Sequence, residues 1–375
     1  MKKKIRGLLL LLLFFGLFFP KSVGADPRLE WPELNQWLEE NEEASLSGEW
    51  GLSSMEDLVS QVMSGAKTLS FREILQAFAK ALWGEMGRYG SLVLQVAALA
   101  ILSYLLKSLS SEFAGSTVGE TGFMAVYAGI LLLLLNSFRI PLEITREATE
   151  KIAYLSAMLV PALAALTAAS GKAVGALGHS AWILSGLSLL LTVFEKVFVA
   201  LVAGLSLAEA VNYLSPKAAL SRLTSLGSGL VRKGIQLLCA LFLLLMGAVG
   251  MAMPAANRLL YKTGSTLISA VPVVGGALSG AMDTVLAGTV LVKNGVGAAA
   301  CILLLCFCLL PLAKLAAAWL IYRLLGALLA PVSDPRTCGL AEALGRQASL
   351  LFSILTAGMV IFTGAVGVFV YTAGG

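Results

Sequence analysis

Histidine is all but missing from this sequence: His179 is the one example among 375 residues. A zinc helix of the His-Glu-x-x-His type needs two imidazoles on one face, so metal-assisted hydrolysis of that kind is excluded. Cysteine is scarce as well. Cys239, Cys301, Cys306, Cys308 and Cys338 form no Cys-x-x-Cys pair and no Cys/His zinc spacing, and four of the five fall in or beside apolar runs. They read as small packing residues rather than as disulfides or metal ligands. No Gly-x-x-x-x-Gly-Lys-Ser/Thr string occurs, so an ATP-driven step would have to come from a partner. With no polar catalytic cluster in view, the chain reads as a non-enzyme without cofactor.

Charge is the third shortage. Only 13% of the residues are charged against 58% hydrophobic, and the mean hydropathy of +0.86 lies far outside the range of soluble domains. Uncharged stretches occupy 89–106, 121–138, 173–194, 234–257, 294–313 and 347–375. Each is close to the roughly 20 residues a helix needs to cross hydrocarbon. The expected fold is all-α, a polytopic transmembrane helical bundle in contact with lipid. A pI of 8.9 invites a nucleic-acid reading. Lys2, Lys3, Lys4, Arg6 and Lys21 sit in the leader, however, and without them bases and acids balance, so no footprint for a phosphate backbone remains.

The leader, 1–25, has a basic start, an apolar core from Leu8 to Phe19, and small residues up to Ala25. It reads as a secretory signal, with an uncleaved anchor as the alternative, and either form places Asp26 outside the cytosol. Residues 26–88 then form an exported acidic segment with twelve acids against five bases. Phe71, Ile74, Leu75, Phe78 and Leu82 recur at helical spacing, as do Met55, Leu58, Val59, Val62 and Ala66. Ser53 with Glu56 and Ser70 with Glu73 fit capping boxes at the two helix starts. The segment either packs on the membrane body or a partner, or stays a solvated acidic arm.

A first transmembrane pair is assigned to 89–140, followed by a repeat unit A over 141–258 and a unit B over 259–375. Leu159-Val160-Pro161 answers Ala270-Val271-Pro272, Leu214-Ser215-Pro216 answers Leu329-Ala330-Pro331, and Gly247-Ala248-Val249-Gly250 matches Gly364-Ala365-Val366-Gly367. Short amphipathic helices are expected around Leu220, Leu223, Leu226 and Leu230, and around Leu340, Leu344 and Leu351. The charged stretch 139–151 after Pro141 is expected to lie along the headgroups. These assignments give between seven and ten crossings, and leave open whether the two units are parallel or inverted.

Glycine and proline mark candidate helix breaks and close-packing points: Pro161, Gly171 and Gly175 in one unit, Pro272, Gly276 and Gly280 in the other. Ionisable residues at bilayer depth are costly and mark a candidate polar pathway. Asp283 and Lys293 lead this set, with Glu195, Lys196 and Glu209. Lys314 and Arg323 are read as snorkelling or as pore-lining with equal weight.

Val271-Pro272-Val273-Val274-Gly275-Gly276, Asp283-Thr284-Val285, Leu291-Val292-Lys293-Asn294 and Ile321-Tyr322-Arg323 running into Pro331-Val332-Ser333-Asp334 resemble the stage III sporulation protein AE family of endospore-forming bacteria. The resemblance implies a multi-pass protein in the mother-cell membrane around the engulfed forespore. It implies a subunit of a channel or secretion-like complex joining mother cell to forespore and sustaining late forespore gene expression. The implied partners are the other proteins of that complex, including an ATPase and a forespore-side channel protein. No family active site exists to transfer. The competing reading from the residues is a secondary transporter acting on its own; homo-oligomerisation is left open.

Overall fold

A computed structural model of the chain describes residues 71–113, 116–167, 173–214, 220–269, 275–331 and 333–374. Every regular element among these residues is helical, as expected. The order is α1 (Phe71–Arg88), α2 (Gly90–Phe113), α3 (Ser116–Thr167), α4 (Ala173–Val193), a π-helical turn (Phe194–Val199), α5 (Ala200–Leu214), α6 (Ser221–Ser269), α7 (Gly275–Leu329) and α8 (Pro335–Gly374). The leader and the helix expected over Met55 to Ala66 lie outside the described residues.

Five of these runs are long and apolar enough to cross a bilayer, or six if α1 and α2 count as one bent span. Among the described residues, helices continue through places where breaks were expected. Helix α3 runs through 139–151 and past both Pro141 and Pro161 without interruption. Proline removes only its own N–H from the ladder, and the buried neighbours Thr145, Ala148 and Thr149 keep that stretch packed against the protein. The 139–151 stretch is therefore continuous with α3 rather than a separate element, buried on one side and exposed at Arg139, Glu143, Arg146, Glu147 and Glu150. Positions 140/141 and 258/259 both fall inside helices, α3 and α6. At 1.5 Å per residue the 52 residues of α3 extend about 78 Å, far beyond a hydrocarbon core of about 30 Å.

Helices α1 and α2 meet at Tyr89 with a bend of 40°. Gly87 and Gly90 flank the joint, a composition that lets a helix kink. The Tyr89 ring stands edge-on to Tyr322 of α7 at 6.5 Å, and the Tyr322 hydroxyl shares a 2.9 Å hydrogen bond with Ser137 of α3. The joint is thus tied to two other helices. On α1, Ile74, Ala77 and Phe78 are buried. This end of the 26–88 segment packs against α7 and the body.

The core lies around α7 and α8, which form the most extensive helix pair. The apolar window within Ala300–Leu329 is 78% buried, against 22% for that within Ser221–Ala248, so α7 is wrapped by protein and α6 is peripheral. Asp334 caps α8 by accepting the Arg336 backbone N–H at 3.0 Å, and Pro335 occupies the first helical position. The chain then turns back on α7 through small residues. A Cβ on Gly326 would stand 2.8 Å from Glu342 Cγ and 3.2 Å from the Cys338 carbonyl oxygen. One on Gly345 would stand 3.1 Å from Arg323 Cγ. Leu223, Leu226 and Leu230 belong to α6, with Leu220 in the turn just before it, and Leu340, Leu344 and Leu351 belong to α8, not to separate short helices.

Contacts fix the directions. Leu205 meets Gly227, Phe198 meets Gly234 and Phe242 meets Gly186, so α4–α5 and α6 are antiparallel. Ser228 meets Gln347 and Leu243 meets Gly364, so α6 and α8 are parallel.

The close approach of α7 and α8 sets a testable contrast. Gly326→Val should lower stability by about 1–3 kcal/mol, because backbone as well as side chain must move. Nothing lies within 4 Å of a Cβ built on Gly247. Gly247→Ala should therefore be neutral, or stabilising by up to about 1 kcal/mol. Detergent-denaturation midpoints of the purified variants would check both.

Candidate functional site

The six residues Phe194–Val199 form the π-helical turn between α4 and α5, and Glu195 and Lys196 sit inside it. A π-turn inserts an extra residue, which shifts the side chains that follow it around the helix axis. Phe194 and Phe198 stack at 5.8 Å, and Phe198 fills the place left open by Gly234 of α6. Glu195 Oε1 accepts from Arg146 Nε of α3 at 3.2 Å. Lys196, adjacent in sequence, is exposed. The two do point to different sides, and the acid finds its counter-charge on another helix.

Glu209 is the second acid brought to a partner. It lies on α5, five residues before the helix ends at Leu214, and is 4% exposed. Its Oε1 accepts from Arg346 Nη2 of α8 at 3.3 Å, while the arginine side chain stays 45% exposed. Next to Arg346, Gln347 is fully buried. Its Nε2 donates to Ser228 Oγ of α6 at 3.0 Å. Its Oε1 has no hydrogen-bond partner among the described residues. Asn212, one turn beyond Glu209, accepts the Leu220 backbone N–H at 3.0 Å and closes the link to α6. Gly339 of α8 lies so close to the Tyr213 ring that any side chain there would overlap it. Here α5, α6 and α8 meet over a polar, small-residue junction.

Asp283 and Lys293 both lie on α7, about 15 Å apart along its axis. Their backbone is helical there, and their side chains are outside what the structure describes. Gly276 and Gly280 lie on the first turns of α7 and Gly175 on α4, while Gly171 and Pro272 lie outside the described residues. Pro161 is helical, and α3 continues past it to Thr167. Lys314 is partly buried, whereas Arg323 is exposed with its guanidinium 5.9 Å from the Trp319 ring centroid.

Arg146, Arg346 and Gln347 were not singled out by sequence reasoning. Arg346-Gln347 lies between Leu344 and Leu350, and polar residues inside an apolar periodicity were the signal for it. Among the described residues no group of three His, Cys, Asp or Glu side chains is placed to hold a metal ion. What the two ion pairs do is pin helices distant in sequence against one another.

The burial asymmetry of Glu209 and Arg346 orders the effects of mutation. Arg346→Ala leaves a buried carboxylate without its partner and should cost on the order of 3 kcal/mol. Glu209→Gln keeps a hydrogen-bond acceptor opposite an arginine that reaches solvent, and should cost about 1 kcal/mol. Equal losses in detergent-denaturation experiments would contradict this ordering.

The sequence model of the family described as Stage III sporulation protein AE matches residues 53–373. Stage III sporulation protein AE of Bacillus subtilis (strain 168) is similar at 24% identity over 296 residues, covering 79% of this chain and 74% of that protein. No solved structure matches. Because the match takes in all the helices described above, from α1 to α8, the chain belongs to the Stage III sporulation protein AE family.

Proposed function

We propose that this chain is a membrane subunit of a sporulation-specific channel or secretion-like complex connecting mother cell and forespore, required for late forespore gene expression. The observation that carries this reading is a family match running through the whole membrane body of the chain. Its working place is the mother-cell membrane around the forespore, with the segment after the leader outside the cytosol. Its partners are the other proteins of that complex, among them an ATPase and a forespore-side channel protein. The chain contributes helices that assemble, not chemistry of its own.

The body is also read as duplicated, which is compatible with a subunit role. Leu214 and Leu329 each end a helix just before their proline landmark, and in each unit the next helix folds back on its predecessor. The second helices of the two hairpins, α6 and α8, run parallel, as expected if the units are related by an axis along the bundle rather than by inversion. The same duplication is the feature that favours a secondary transporter acting alone.

The two readings separate in one strain and one vesicle. Vesicles containing the purified protein alone should show solute flux at background, with or without Asp283→Asn. Deleting the gene should abolish a late forespore reporter while engulfment completes. Substrate-dependent uptake by vesicles containing this protein alone, lost in Asp283→Asn, would replace the subunit reading with the transporter. Normal reporter expression in the deletion strain would end it.

A further inference from the structure

The four-residue match between Gly247–Gly250 and Gly364–Gly367 sets α6 and α8 in register with each other, and both helices are uninterrupted back to Leu223 and Leu340. In that register one face has opposite fates. On α6, Leu223, Leu230, Leu237 and Leu244 follow at seven-residue spacing and are 61%, 67%, 68% and 68% exposed, with Leu226 beside them. On α8 the counterparts Leu340, Gln347, Ile354 and Ile361 are fully buried. Part of what covers that α8 face is α6 itself, running parallel: Gln347 meets Ser228 and Gly364 meets Leu243.

Lipid does not account for the upper half of the α6 stripe. Arg232 and Lys233, both exposed, stand between Leu230 and the uncharged run 234–257. A hydrocarbon layer of about 30 Å takes about 20 residues of helix, which that run supplies by itself. Leu223, Leu226 and Leu230 therefore lie on the aqueous side of two basic residues, apolar and uncovered. Leucine every seven residues is the spacing that meshes between two parallel helices, with Leu226 adding a further knob and the small intervening Ala240 and Gly247 permitting close approach. Lys233 takes the remaining intervening position, where a polar residue fixes register at a cost in stability.

From these observations we infer that the Leu223–Leu230–Leu237–Leu244 face of α6 binds the same face of a second copy of this chain, forming a parallel two-fold pair about an axis along the membrane normal. Two copies inserted in one membrane present α6 in the same direction, as such a pair requires. The α8 face that matches this one already accepts a parallel helix of the same protein. This goes beyond the proposed role and does not depend on it.

The test uses the full-length chain in isolated membranes, with the five native cysteines replaced and single cysteines introduced by Leu223→Cys, Leu230→Cys, Leu237→Cys, Ser225→Cys or Gln236→Cys. Oxidation should give a band at twice the monomer mass for the three leucine positions, several-fold stronger than for Ser225→Cys and Gln236→Cys, which are exposed off the stripe. Adding Leu230→Glu to Leu223→Cys should abolish that band while membrane insertion and the detergent-denaturation midpoint stay unchanged. The inference fails if no double-mass band forms, if all five positions cross-link alike, if the adduct has the mass of a different protein, or if Leu230→Glu leaves the band intact. The first of these would leave lipid as the occupant.

Discussion

Helix α8 leaves the molecule little choice in its arrangement. Its buried residues run from Leu340 to Val366 and lie on nearly every side, so α3, α5, α6 and α7 must all close upon it. A helix apolar all round is satisfied only in a protein interior or in lipid, and small residues decide how near its neighbours come. Gly339, Gly345, Gly358 and Gly364 each face a different partner: Tyr213, Arg323, Ile152 and Leu243. The hairpin with α7, the antiparallel approach of α5 and the parallel approach of α6 all follow from those contacts.

Charge is handled within the same scheme. A carboxylate drawn into a helical bundle is tolerated when a cation on another helix answers it, and Glu195 with Arg146 and Glu209 with Arg346 meet that condition. The first pair is half-open to solvent on the arginine side and contributes little by itself. Its position within the π-turn matters more, since the extra residue there sets the rotation of α5 toward α8. The second pair sits beside Gln347 and Ser228, so two polar links join α8 to the α5–α6 hairpin where apolar packing alone would allow sliding.

Helix type and membrane class were legible in the residues because they are sums over long windows: few charges, many leucines, apolar runs of spanning length. The spacing of Phe71, Ile74 and Phe78 located α1, and two acids, partly buried Glu195 and buried Glu209, were recognised as costly. Continuity was not legible. Pro161 was read as a candidate break and the stretch after Pro141 as a surface segment, yet a lost hydrogen bond and a crowded carbonyl are outweighed when the flanking turns are packed on neighbours. The partners of the acids were hidden for another reason. Arg346 is 137 positions from Glu209, and no local pattern announces a pairing across that distance.

The length of α3 has a practical corollary. Its two apolar stretches, 121–138 and 152–167, are carried on one rod with Arg139, Glu143, Arg146, Glu147, Glu150 and Lys151 between them. A detergent collar imitates a single bilayer and wraps a girdle of about 30 Å. One such collar reaches one of these stretches fully, and the other needs protein, a second amphiphile layer or a neighbouring chain to keep it from water. Neighbouring helices already cover Ile152, Leu155, Leu159, Val160 and Leu163, so what a collar must still reach at that end is the narrow face of Tyr154, Ala157, Pro161 and Ala165.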